Sequence, residues 1–217
     1  MGKYIFFIVI LSWACVPKPT CEVYSRCKME SEGRFCTHGG KFGIDPEYDR
    51  HGVDIEGPSS SGLSVSYSFQ TSGIYPTPQF GDFESRSFDE IGDFAIDLVH
   101  EAIAEWGSHI DITFEHTEDE ENSDLKIICA DIGNKAGIGY IGCAGILCSN
   151  QIGYVFFDNT PISEDEFYPL ALHELGHALG LCHANAENVM SYNSQIFHFK
   201  NLQKGDIEGM VSIYGPK

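Results

Sequence analysis

The chain has 217 residues, 42% of them hydrophobic, which suits one domain of ordinary size plus a short extension. Its 32 acidic residues against 13 Lys and Arg leave a formal net charge of −19. A surface that acidic repels phosphate backbones and excludes nucleic acid as a partner; most of the carboxylates are read as a solvated face.

The chain begins with Lys3 and an apolar run from Tyr4 to Trp13. About ten residues are too few to span a membrane as a helix but fit a signal peptide. Ser12 and Ala14 set small residues at −3 and −1 before Cys15, so residues 1–14 are expected to be removed and the protein to be secreted or held at the cell surface. A second reading makes Cys15 an acylated lipoprotein residue, the membrane then being reached only through that anchor, although Trp13 and Ser12 depart from the usual lipobox. The eight cysteines fit export. Setting aside Cys15 if acylated, and Cys182 inside the motif below, leaves six, enough for three bridges, with Cys143 and Cys148 the best local pair. The alternative has Cys15 and Cys182 bridged too.

Residues 15–62 read as a Cys-rich N-terminal extension with little helical or strand period, closed by the linker-like Pro58-Ser59-Ser60-Ser61-Gly62. It is either a disulfide-tied cap or a propeptide whose Cys27 thiolate could cover a metal; a structural disulfide is the favoured role for Cys27. From Leu63, alternation of Val65, Tyr67 and Phe69 predicts a strand over 63–69. Ser87-Phe88-Asp89-Glu90 is a capping-box pattern. Behind it Ile91, Phe94, Ala95, Leu98, Ala102 and Trp106 predict an amphipathic helix ended by Gly107, with His100 and His109 read as ordinary residues. Ile110, Ile112 and Phe114 predict a second strand, and Leu125 to Cys129 a third. The acidic Glu118 to Glu121 loop between them is read as solvated, with calcium binding a lesser reading. Ile138 to Ile141, in a Gly-rich stretch, reads as an edge strand able to pair with an extended peptide, or equally as a loop over the sheet. Ile152 to Phe157 is a further strand. This order gives an α+β (mixed α/β) domain over 63–217 with a mainly parallel sheet.

The chemistry concentrates in His173-Glu174-Leu175-Gly176-His177-Ala178-Leu179-Gly180-Leu181-Cys182-His183. The helix carrying it is expected to start at Pro169, a residue favoured at the first helical position. His173 and His177 then share one helix face and can hold one zinc ion. Gly180 lets the helix stop and turn, so His183 can reach the same metal. Three protein ligands leave a fourth position open, as catalytic zinc requires. Glu174, one residue on, is rotated away from the ligand pair and can take a proton from zinc-activated water. Leu172, Leu175 and Leu179 give the helix a core-facing stripe. Asn188-Val189-Met190-Ser191-Tyr192 follows, then a closing helix of Ile207, Met210, Val211 and Tyr214 ended by Gly215-Pro216.

The H-E-x-x-H-x-x-G-x-x-H pattern with a downstream Met resembles the metzincin clan, most closely its matrixin-like members, from about Leu63 to Gly215. The resemblance implies a zincin fold: a twisted, mainly parallel sheet with about three helices and a zinc cleft. It implies His173, His177 and His183 as ligands of one catalytic zinc, Glu174 as general base and Met190 as the Met-turn residue beneath the metal. Met190-Ser191-Tyr192 is similar to serralysins, which implies Tyr192 as an oxyanion stabiliser. Two departures stand out. Phe156 occupies the place where matrixins carry a His for a structural zinc, so that second zinc is not expected. Asp158 could serve calcium, but Asn159-Thr160 lacks the usual acidic partner, and no propeptide cysteine motif matches.

Together these readings predict a monomeric zinc endopeptidase that hydrolyses peptide bonds of extracellular proteins or peptides. The alternative is an exported, zinc-binding, disulfide-stabilised interaction protein without turnover, against which the intact Glu174 speaks. Specificity is expected to depend on residues near Tyr192 to Phe197.

Overall fold

The computed structural model describes residues 35–37, 62–77, 81–133, 153–184, 187–191 and 197–217, with the backbone alone of 28–29, 77 and 137–140. In chain order come β1 (Lys28–Met29), β2 (Cys36–Thr37), β3 (Leu63–Gln70), β4 (Ile74–Thr77), β5 (Gly81–Arg86), α1 (Ala95–His109), β6 (Ile112–His116) and β7 (Leu125–Ala130). Then follow β8 (Gly137–Tyr140), β9 (Gly153–Asp158), α2 (Glu164–Ala178), β10 (Leu181–Cys182) and α3 (Lys204–Tyr214).

The sheet is mixed and mainly parallel, as expected. β6, β3, β7 and β9 are parallel neighbours in that order. β8 runs antiparallel along β9 at one edge. The β4–β5 hairpin, which no periodicity announced, joins antiparallel to the end of β7 at Ser85 and Arg86. A central parallel strand is covered on both faces and reads as a continuous apolar run; every residue of β7 is buried accordingly. Against one face pack α1 and α2, with Val65, Leu125, Ile127, Val155 and Phe157 meeting Ala95, Val99, Trp106 and Leu172 in one cluster. Trp106 is fully buried and its Nε1–H donates to Leu172 O at 3.1 Å, fixing α1 against the helix that carries the metal motif. On the other face Ile128, Ala130, Ile132 and Phe156 cluster with Tyr75, Phe83 and Tyr154.

Three local expectations need correction. Ser87 does cap, accepting from Asp89 N at 3.2 Å, but it opens a separate 3-10 turn at Phe88–Glu90, and the α-helix begins only at Ala95. That helix runs through Gly107 to His109. Gly107 is there for clearance: a Cβ at this position would lie 3.1 Å from the Phe114 ring. The stop comes from Ile110, whose extended backbone bridges Pro216.

The second correction concerns Pro169, which lies inside α2 and not at its start. A proline removes the N–H that would bond the carbonyl four residues back. That carbonyl, Asp165 O, instead accepts from Lys200 Nζ at 3.2 Å, and the same ammonium sits 2.5 Å from Asp165 Oδ1. The true start is Glu164, with Ser163 as the N-cap residue and its Oγ donating to Glu166 Oε2 at 2.7 Å. Glu164, Asp165 and Glu166 in the first turn also favour the positive end of the helix dipole.

Third, the N-terminal extension is not without strands. β1 and β2 pair antiparallel, and β2 pairs antiparallel with β10. The expected leader, Cys15, Cys27 and the Cys143 and Cys148 pair lie outside the described residues. Among the described residues no helix is long and apolar enough to cross a membrane.

Candidate metal centre

α2 delivers His173 and His177 from its last turns, and it ends at Ala178. Gly180 then takes φ 113°, a conformation costly for any residue with a Cβ, and the chain reverses into β10. His183 follows directly. The three Nε2 atoms close a triangle: His173 to His183 3.1 Å, His173 to His177 3.1 Å, His177 to His183 3.0 Å. Among the described residues this is the one group of three or more His, Cys, Asp or Glu able to share a metal ion.

The outer ring nitrogens decide what that triangle can hold. His173 Nδ1 lies 2.7 Å from Val189 O, and His177 Nδ1 lies 2.9 Å from Leu181 O. A carbonyl only accepts, so each Nδ1 carries the proton and each Nε2 presents a lone pair. The lone pairs of His173 and His177, turned on one another at 3.1 Å, repel unless a cation sits between them. A triangle of this size lets one ion reach all three at the Zn–N distance of about 2.0–2.1 Å. Burial keeps two of the imidazoles neutral and ready to ligate: it pushes His173 down to about 4, and it lowers His183 as well.

Residues 90–215 match the family model described as matrixin. The chain belongs to the matrixin family. It is 31% identical over 138 residues to Metalloendoproteinase 1-MMP of Arabidopsis thaliana, covering 55% of this chain and 37% of that protein. To Matrix metalloproteinase-26 of Homo sapiens it is 27% identical over 135 residues, 56% of this chain and 51% of that one. To Metalloendoproteinase 4-MMP of Arabidopsis thaliana it is 28% identical over 169 residues, 70% of this chain and 46% of the relative. The chain thus spans about half or less of the length of these curated relatives.

In this matrixin Met190, the residue expected beneath the metal, packs against α2. A Cβ at Gly176 would lie 2.4 Å from Met190 Sδ, so the thioether rests on α2 at the one residue between the histidines that has room for it. The turn is laced to the metal segment in both directions. Val189 O receives His173, and Met190 O accepts from Ala184 N at 2.8 Å, one residue past His183. Beneath it lies Asp206, fully buried, a residue that sequence reasoning missed. Its Oδ2 accepts from Val189 N and Gln203 N, both at 2.9 Å, and its Oδ1 from Met190 N at 3.0 Å. The available signal was a capping box of unusual composition, Gln203 with Asp206 three residues on.

Glu174 is buried on α2 at 6% exposure. Helix geometry sets it about 100° round from His173 and about 60° from His177, on the flank of the ligand pair. Tyr192 lies outside the described residues. Phe156, where a second zinc ligand was looked for, is fully buried in the outer aromatic cluster.

Several acids in and around the 118–121 loop, and Asp158, have other partners. Asp124 Oδ2 accepts from Ser66 N at 2.8 Å and Ser66 Oγ at 2.7 Å. Glu120 accepts from Thr71 N and Oγ1, and Asp119 from Asn122. The ammonium of Lys126 takes the Glu120 and Glu121 carbonyls, a cation already in place within the loop. Asp158 joins the ends of β7 and β9 through Ile132 N at 3.1 Å and Thr160 N at 3.2 Å. His100 is structural as read, its Nδ1 2.6 Å from the Tyr67 hydroxyl in an aromatic cluster with Phe69 and His116.

Proposed function

We propose that this matrixin is a zinc-dependent endopeptidase acting on extracellular proteins or peptides, with His173, His177 and His183 as the ligands and Glu174 as the general base. The observation that carries the reading is the triangle of three Nε2 atoms, two of them left unprotonated by outer nitrogens fixed on backbone carbonyls. When bound there, zinc supplies Lewis acidity toward the scissile carbonyl and lowers the pKa of water. The chain's own groups supply the rest. Val189 O and Leu181 O hold two imidazoles in the ligating tautomer. Glu174 accepts the proton of the attacking water and returns it to the departing amine. Tyr192 is proposed to donate to the developing oxyanion. β8, antiparallel at the sheet edge and packed along α2, offers main-chain groups to an extended peptide.

Export fits the apolar leader at 1–14, with lipidation of Cys15 as the variant reading. A disulfide framework is part of the same proposal, and Cys36 and Cys182, opposite one another on β2 and β10, are placed to belong to it. The boundaries proposed are 1–14, 15–62 and 63–217.

The test is cleavage of a broad peptide library by the full chain. A chelator should abolish it and added zinc restore it. Glu174→Ala should keep zinc but lose about 10²–10⁴-fold in kcat/KM, the usual worth of general-base catalysis. Wild-type rates in that variant would sink the mechanism. A zinc-loaded wild type that cuts nothing would favour a binding protein instead.

A further inference from the structure

We propose that the N-terminal hairpin is a permanent part of the metal-binding unit: β2, by pairing with β10, positions His177 and His183. This rests on the zinc reading above and adds a role for Lys28–Met29 and residues 35–37.

β10 is two residues long and carries two duties. Leu181 O receives His177 Nδ1 at 2.9 Å, and Cys182 leads straight into His183. A pair of residues with no further strand of its own is a weak element and takes its geometry from its neighbours. Its strand neighbour among the described residues is β2, with Leu181 opposite Thr37 and Cys182 opposite Cys36. The contact is sealed. Cys36 is 1% exposed and Cys182 5%, and both pack with Ala184 on the far side of His183.

Phe35 anchors the clamp to the main core. A Cβ at Gly209 of α3 would lie 3.0 Å from Phe35 Cβ and Cγ and 2.9 Å from Leu181 Cδ2. Phe35 and Leu181 therefore converge on one glycine of the closing helix. The strand that orients His177 is held between the extension on one side and α3 on the other. A removable cap would cover the cleft mouth; this hairpin instead grips the backbone behind two of the three proposed ligands.

Groups that orient a metal ligand are typically worth 10–100-fold in metal affinity. The experiment uses the full-length chain and reads the zinc dissociation constant by competition with a chromophoric chelator. Phe35→Ala removes the anchor. Thr37→Pro places a proline, which cannot donate to a ladder, in the middle strand of β1-β2-β10. Both should raise the zinc dissociation constant about 10–100-fold, while buried Trp106 fluorescence and circular dichroism stay native. Phe35→Leu, which keeps an apolar wedge on Gly209, should restore wild-type affinity. If Thr37→Pro does not fold, the Phe35 pair still decides. Unchanged zinc affinity in Phe35→Ala, with or without faster peptide cleavage, overturns the inference and makes the segment a cap. A wild type that binds no zinc overturns the underlying reading, and is seen before any variant is compared.

Discussion

Asp206→Asn is the substitution that best tests how the site is held together. The side chain keeps its shape, but one acceptor oxygen becomes an NH2 donor. Three backbone N–H groups now converge on the carboxylate, from Val189, Met190 and Gln203, at 2.9–3.0 Å. With Asn, at least one of them faces another N–H in a place closed to water. An unsatisfied buried donor costs about 1–3 kcal/mol, and the bonds that survive lose their charge assistance, which roughly doubles such a bond. One effect opposes this. Burial raises the Asp206 carboxyl above its ordinary 3.8, even though the three N–H groups pull it down. Its ionisation in the fold therefore costs stability as pH rises through the raised value, and the neutral amide relieves that cost. The lost acceptor outweighs the relief, for a net destabilisation of about 2–4 kcal/mol, a large part of a typical domain's 5–15. The damage should also reach the metal, because Met190 N–H, the donor on Oδ1, belongs to the same peptide unit as the Val189 carbonyl that orients His173. Urea unfolding of the zinc-free chain should show the lower stability, and chelator competition should show zinc held about 10–100-fold less tightly. An Asp206→Asn protein as stable as wild type and equal to it in zinc affinity would refute this chain of contacts.

Gly176→Ala places a Cβ 2.4 Å from Met190 Sδ; helix propensity gains about 1 kcal/mol and overpacking costs about 1–3, so a lower melting temperature with weaker zinc binding is expected, and neither changing would show that the thioether moves aside without cost. Lys200→Met leaves Asp165 O without the donor that stands in for Pro169; with Lys200 half exposed, the expected loss is below about 1 kcal/mol, seen as faster hydrogen exchange in the first turn of α2. In the zinc-free chain, His173 falls from 6.5 to about 4, chiefly by burial. The unfolded chain takes up a proton there that the fold refuses, so stability is full above about pH 6.5 and is lost as pH drops toward 4, by about 3 kcal/mol at ~1.4 per unit. Urea midpoints across that window, compared with His173→Leu, should show this slope; its absence from the wild type would refute the assignment.

What could be read from the chain, and what could not, divides along one physical line. His173, His177, Gly180 and His183 lie within eleven residues, and helix period and a positive-φ glycine suffice to bring them together. The strands from Leu63, Ile112, Leu125 and Gly153 announced themselves by alternation or by apolar runs. β2 and β10 have two residues each and so no period to detect. Pro169 obeyed its local rule on paper and was overruled by Lys200, thirty-five residues from the carbonyl it serves. Gly107 carried a stop signal that was really a clearance for Phe114.

The same line runs through the site itself. The side chains that would touch the metal are marked by their chemistry, because only a few residue types ligate zinc. The groups that aim them are the carbonyls of Val189 and Leu181. Every residue has a carbonyl, so nothing in a residue's identity marks one as a ligand orienter. Its role comes from what fixes its peptide: for the Val189 carbonyl Asp206, through Met190 N–H, and for Leu181 the pairing with β2. A matrixin motif can therefore be intact letter by letter while zinc affinity rests on residues 35–37 and 206, which lie outside it. Variants at those positions, with His173, Glu174, His177 and His183 untouched, separate possession of the motif from possession of the site.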